Sequence, residues 1–79
     1  MRVQIRYFAS LREKRAVSEE SRETKSATPE ELYRELQEAF GLPLPWACLR
    51  VAVNGEFAEG GRLLQDGDEV TFIPPVAGG

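Results

Sequence analysis

Thr28-Pro29-Glu30-Glu31-Leu32-Tyr33-Arg34-Glu35-Leu36-Gln37-Glu38-Ala39-Phe40-Gly41 is a helix with both of its ends written into the sequence. The Thr28 hydroxyl can accept from the N–H three residues on. Pro29 at the first helical position gives up a donor that would lack a partner, and Glu31 sits at the third position. Leu32, Leu36, Ala39 and Phe40 recur at helical spacing with Tyr33 beside them, so one stripe is apolar. Gly41 suits a left-handed stop, and Pro43 prevents continuation. A single amphipathic helix must bury its stripe against something, and the rest of the chain offers strands.

Upstream, Val3, Ile5 and Tyr7 alternate with Arg2, Gln4 and Arg6, which predicts a strand over Met1 to Phe8 with one buried face. Phe8 falls on the polar face, out of step with the core set. Ser10-Leu11-Arg12-Glu13 has capping-box spacing and predicts a short helix from about Leu11 to Arg15. From Ala16 to Ala27 the chain is polar and has neither period. An edge strand is assigned to roughly Val17 to Thr24, where charge would discourage pairing with other chains. Downstream, Leu42-Pro43-Leu44-Pro45-Trp46 is a Pro-broken connection whose Leu and Trp can pack under the sheet. Arg50 to Val53 reads as a strand, Asn54-Gly55 as a two-residue hairpin turn, and Glu56 to Ala58 as a short return. Gln65-Asp66-Gly67-Asp68 is a tight turn before a last strand, Glu69 to Ile73, with Val70 and Phe72 on one face and Thr71 and Ile73 on the other.

The order β, short α, weak β, α, β, β, β indicates an α+β fold of the β-grasp kind: a mixed sheet with one main helix packed across it, and first and last strands adjacent and parallel in the middle. Phe8 and Ile73 then lie side by side at the ends of neighbouring strands, both out of phase with the core. They form an exposed apolar patch, the usual mark of a contact surface. Residues 1–73 are expected to be the folded domain, and residues 74–79 an extended, flexible C-terminal tail.

Composition narrows the function. Seventy-nine residues make one domain with a single small core and little margin for an enclosed cavity. There is no histidine, so a Cys-His pair is impossible and a metal site is not expected. The one cysteine, Cys48, is expected to be a buried structural thiol, consistent with a reducing compartment. No phosphate-binding or dinucleotide fingerprint is present, and no bound cofactor is expected. Asp66, Asp68 and Glu69 are explained by turn preference more simply than by cation binding. The net charge is −3, and no basic stripe offers itself to nucleic acid. No apolar run is long enough to cross a bilayer and no signal-peptide pattern opens the chain, so the cytoplasm is the expected location.

The chain closes on Pro74-Pro75-Val76-Ala77-Gly78-Gly79. The prolines fix φ and favour a stiff exit, and paired glycines can enter a narrow site that any Cβ would obstruct.

Leu64-Gln65-Asp66-Gly67-Asp68-Glu69-Val70-Thr71-Phe72-Ile73 followed by this tail resembles the C-terminal signature of the molybdopterin synthase small-subunit family, the molybdopterin-converting factor small subunits. Phe8-Ala9-Ser10-Leu11-Arg12-Glu13 and Val51-Ala52-Val53-Asn54 are similar to further segments of that family; the polar stretch from Ala16 to Ala27 is not. The resemblance implies a ubiquitin-like β-grasp sulfur carrier whose Gly79 is adenylated by an ATP-dependent, E1-like adenylyltransferase and converted by a sulfur donor to a thiocarboxylate. It implies a large catalytic subunit as partner, in a heterotetramer of two carriers and two large subunits. There the sulfur passes to cyclic pyranopterin monophosphate to form molybdopterin. On this footing Gly79 carries the reacting carboxylate, while Gly78, Ala77, Val76, Pro75 and Pro74 form the inserted tail. Phe8, Phe57 and Ile73 make the partner contact. Related carriers that deliver sulfur to thiamine or tRNA, a ubiquitin-like protein modifier, and a β-grasp interaction module with an inert tail are the alternatives.

Overall fold

The computed structural model describes residues 1–75. β1 (Arg2–Tyr7) runs into α1 (Ala9–Arg15), then β2 (Glu19–Glu23), the main helix α2 (Pro29–Phe40), a 3₁₀ turn over Trp46–Cys48, β3 (Arg50–Val53), β4 (Glu56–Ala58) and β5 (Glu69–Ile73). The strands form one sheet in the order β2-β1-β5-β3-β4. β1 and β5 are parallel in its centre, and the other pairs are antiparallel. This is the expected α+β, β-grasp arrangement, including the central parallel pair.

The main helix begins and ends where its sequence specifies. The Thr28 hydroxyl accepts from the Glu31 N–H at 3.2 Å, and Gly41 takes φ 65°. Leu32, Tyr33 and Leu36 are fully buried against Val3, Ile5, Tyr7, Val51, Val53, Val70 and Phe72. Ala39, expected in that stripe, is exposed. Trp46 closes the far end, 6.0 Å from the Tyr33 ring and 6.5 Å from Phe72, a spacing at which aromatic rings attract. Asn54 and Gly55 both adopt positive φ, as the hairpin turn requires.

Two local expectations are corrected. The first helix starts at Ala9, not Leu11, and no side chain caps it. The Phe8 carbonyl accepts from Leu11 and Arg12 instead, because the chain turns straight out of β1 at Ala9, where φ is 50°. Ser10 and Glu13 therefore lie within the helix as exposed residues.

The second correction concerns β2, which is shorter than Val17 to Thr24 and has no apolar inner face. Its inward residues are Glu20 and Arg22, opposite core residues Ile5 and Val3. Glu20 accepts from the Tyr7 hydroxyl and from Arg15, whose guanidinium lies 3.6 Å from the Phe40 ring centre. Arg22 pairs with Glu35 of α2, which also accepts from Thr24 and Ser26. Burial pushes the Glu20 carboxyl up, but the hydrogen bonds from Arg15 and Tyr7 outweigh it and hold the pKa below the ordinary value. Glu35 is likewise held low, against its own burial, by Thr24, Arg22 and Ser26.

Both native pKa values lie below the unfolded ones. Their contribution to stability is therefore complete above the ordinary value of 4.5 and is lost as pH falls through the native values. Thermal unfolding followed from about pH 5 to about pH 3 should show a falling midpoint. The Glu20→Gln, Glu35→Gln double variant should show a shallower fall. Gly60 supplies a second test: a Cβ there would stand 2.6 Å from the Trp46 ring, which also packs near Tyr33 and Phe72. Gly60→Ala should cost about 1–3 kcal/mol by overpacking, read from urea unfolding.

Candidate functional site

Strand parity separates this sheet into a core face and an open face. β1 and β5 align Tyr7 with Phe72, both buried beneath α2. The next residues, Phe8 and Ile73, therefore leave the sheet together on its other side. Phe8 is 42% exposed and Ile73 is half-buried. Phe57 joins the same face by register: Arg6 pairs with Thr71, Thr71 with Ala52, and Ala52 with Phe57. At 69% exposure it is nearly free in solvent. The structure thus brings Phe8, Ile73 and Phe57 to one face but not into one cluster. Ile73 lies between the other two, one strand from Phe8 and two from Phe57, with strands spaced about 4.8 Å apart.

The last described residues leave from the middle of this face. Pro74 is buried and Pro75 exposed. On one side Phe8, Ala9, Ser10 and Glu13 join Ile73, Pro74 and Pro75 around a groove of about 510 Å³. On the other, Cys48 and Arg50 join Ile73, Pro74 and Pro75 around a smaller hollow of about 230 Å³. Two guanidinium groups lie over the exposed rings: Arg6 at 5.9 Å from the centre of Phe8, and Arg50 at 5.5 Å from that of Phe57. These are cation–π distances, and they steady the two partly exposed rings. Val76, Ala77, Gly78 and Gly79 lie outside the described residues.

Cys48 corrects a sequence expectation, because it is exposed and not a buried structural thiol. The 3₁₀ turn points Trp46 at the core, and the cysteine two residues later faces outward beside Pro74. The carboxylates before β5 are occupied within the fold. Asp66 accepts from the Arg2 N–H at 2.8 Å, and Asp68 from the Gln65 N–H at 2.8 Å and the Asn54 amide at 2.9 Å. Burial raises the Asp68 pKa, but these bonds and Arg62 prevail and hold it below the ordinary value. Sequence reasoning did not single out Arg50, Ala9, Ser10 or Glu13 as site residues. For Arg50 the signal was available: it shares parity with Ala52, opposite to Val51 and Val53.

This geometry has a known counterpart. The model described as the ThiS family matches residues 5–79. The chain belongs to the ThiS family. Among solved structures, SAMP1 from Haloferax volcanii is 25% identical with a TM-score of 0.82, each chain covered in full. A chain in the complex of subunits 1 and 2 of molybdopterin-converting factor from Helicobacter pylori is 29% identical with a TM-score of 0.69, again over the whole of both chains. A chain of the Amycolatopsis orientalis BexX/CysO complex is 25% identical with a TM-score of 0.69, covering 98% of this chain and 99% of that one. Among curated protein sequences there is no match. The fold of this ThiS-family chain is ubiquitin-like. No helix among the described residues is long and apolar enough to cross a membrane.

Exposed and core aromatics should separate cleanly on truncation. Phe57→Ala should change stability by less than about 0.5 kcal/mol, as expected for a surface site. Phe72→Ala, one strand position from Ile73 but on the buried face, should cost about 3–5 kcal/mol. Urea unfolding of the two variants makes the comparison.

Proposed function

We propose that this ThiS-family, ubiquitin-like sulfur carrier is the small subunit of a molybdopterin synthase, with Gly79 as the residue that carries sulfur. The observation that carries this reading is the placement of Pro74 and Pro75 between two grooves on a face studded with out-of-phase apolar residues, four residues before Gly79. A folded body that docks by this face would hold its tail at high local concentration in a partner's active site. The likeness to a chain of the molybdopterin-converting factor complex supports the pathway, as do the sequence signature and its Pro-Pro step.

The chemistry assigned to the tail is simple. A carboxylate is a poor electrophile near neutral pH. A carboxylate oxygen attacks the α-phosphorus of ATP on an E1-like adenylyltransferase, pyrophosphate leaves, and the acyl adenylate gains AMP as a leaving group. Sulfide-level sulfur from a donor system then attacks the acyl carbon, AMP leaves, and a thiocarboxylate remains. In the large catalytic subunit that sulfur is delivered to cyclic pyranopterin monophosphate. This chain supplies position and the carried atom, and Gly78 keeps the last turn of the path narrow. Ala77, Val76 and the two prolines set its reach. Phe8, Ile73 and Phe57 make the apolar contact, and the complex is expected to contain two copies of each subunit in the cytoplasm.

The SAMP1 likeness favours a second reading, a modifier joined to other proteins through its tail. High-mass conjugates that vanish when Gly79 is deleted would mark that role. The primary test is intact mass. Incubation with the adenylyltransferase, ATP and a sulfur source should replace one oxygen by sulfur at Gly79. A mass that stays constant with a demonstrably active enzyme sinks the carrier reading.

A further inference from the structure

Arg2, Arg6 and Arg50 all stand on the open face of the sheet. Arg2 meets Glu23 at 3.3 Å, and Arg6 lies 3.8 Å from both Glu19 and Glu69. Arg50 has no ion-pair partner among the described residues; its guanidinium lies over the exposed Phe57 ring instead. It also forms the wall between two hollows. The one toward β4, about 370 Å³, is bordered by Trp46, Leu49, Phe57 and Glu59. The other is the smaller hollow beside Pro74. In the free protein water solvates this cation at little cost. Once a partner covers the face, this guanidinium, set between a mixed hollow and the largely apolar one beside Pro74, would be stripped of water without compensation.

We propose that Arg50 is the specificity-determining charge of the docking face, selecting a protein partner that presents an Asp or Glu carboxylate to it beside an aliphatic side chain that enters the Trp46–Phe57 hollow. This rests on the reading that the open face docks the large subunit. The planar fork of a guanidinium accepts a carboxylate through two parallel hydrogen bonds, which fixes register as well as affinity. A polyphosphate surface is the poorer match. Arg2 and Arg6 are already neutralised and the chain carries a net charge of −3, so one cation would face repulsion from the rest. Charge complementarity therefore favours an acidic protein segment. The pair would act as a filter among large partners, since a cation or an apolar group opposite Arg50 is penalised on burial.

The test measures binding of the full chain to the molybdopterin synthase large subunit of the same organism, at low and high salt. Arg50→Gln should weaken binding at least tenfold and flatten its salt dependence, with Arg50→Lys intermediate because an ammonium keeps the charge but not the fork. Arg34→Gln, on the outward side of α2, should bind as wild type does. Unfolding midpoints of all three variants should match wild type, since each side chain is exposed. Wild-type binding with Arg50→Gln within twofold and equally salt-sensitive overturns the role of Arg50 and leaves the docking reading standing. Failure of the wild-type chain to bind overturns the docking reading, and the role of Arg50 with it.

Discussion

The hydrogen bonds that join the Asp66-Gly67-Asp68 turn to the first residues of β1 set the register on which this protein depends. Gly67 N–H donates to the Arg2 carbonyl at 2.8 Å, Arg2 N–H to the Asp66 carboxylate at 2.8 Å, and Gln4 N–H to the Asp68 carbonyl at 2.9 Å. Gly67 can make this turn because its φ of 87° costs a glycine little. Once β5 starts there, parallel pairing carries Tyr7 to Phe72 and leaves Phe8 beside Ile73. A slip of one residue would exchange the faces and send Phe72 to solvent, so the buried face and the open face are specified together. Asn54 braces the same point from the other side. Its side chain accepts from Glu69 N–H and donates to Asp68, tying the β3–β4 hairpin to the start of β5.

The opposite edge is held by different physics. β2 contributes no apolar side chain to the core, and its inward Glu20 and Arg22 would be costly there without partners. They are affordable because Tyr7, Arg15, Glu35, Thr24 and Ser26 satisfy them, and because Phe40 gives the two guanidinium groups a ring to lie on. No buried side-chain polar atom is left without a partner among the described residues. Exposed pairs such as Arg2–Glu23 and Arg6–Glu19 add little to stability. They do decorate the edge with charge, which discourages another strand from adding to it.

These two mechanisms explain what could be read from the sequence. β1, β3, β5 and the main helix bury apolar residues at their own period, so their elements, order and parity were legible. From parity alone came Phe8 and Ile73, the centre of the candidate site. β2 was blurred because its partners are polar groups on α1 and α2, remote in sequence, and polar pairing leaves no period to detect. The start of α1 was misplaced because a local capping pattern, Ser10 to Glu13, lost to the geometry of the chain leaving β1 at Ala9. Cys48 was misread because a lone thiol resembles a core residue by composition, whereas its side is decided by the three-residue turn that points Trp46 inward. Phe57 entered through family resemblance alone. Its neighbour by register, Arg50, carried the same parity signal but is an ordinary solvated residue to any reading that ranks hydrophobicity.

A small domain has few ways to make a surface that is both soluble and sticky, and this one divides the task by parity. Residues in phase close a core around Phe72; residues out of phase go to the open face, where the Phe8 and Phe57 rings each have an arginine over them. Phe8 under Arg6 and Phe57 under Arg50 are less exposed to chance contacts than bare rings would be, because a partner must displace or pair the guanidinium before reaching the ring. Arg6 is already paired, so covering it disturbs exposed ion pairs of little value. Arg50 has no such partner among the described residues, so on the proposal made for it, covering it calls for an anion. On that proposal the same face is permissive near Phe8, beside Pro74, and demanding near Phe57. Such a division would let one carrier offer its tail to more than one enzyme while still rejecting surfaces that lack a carboxylate in the right place.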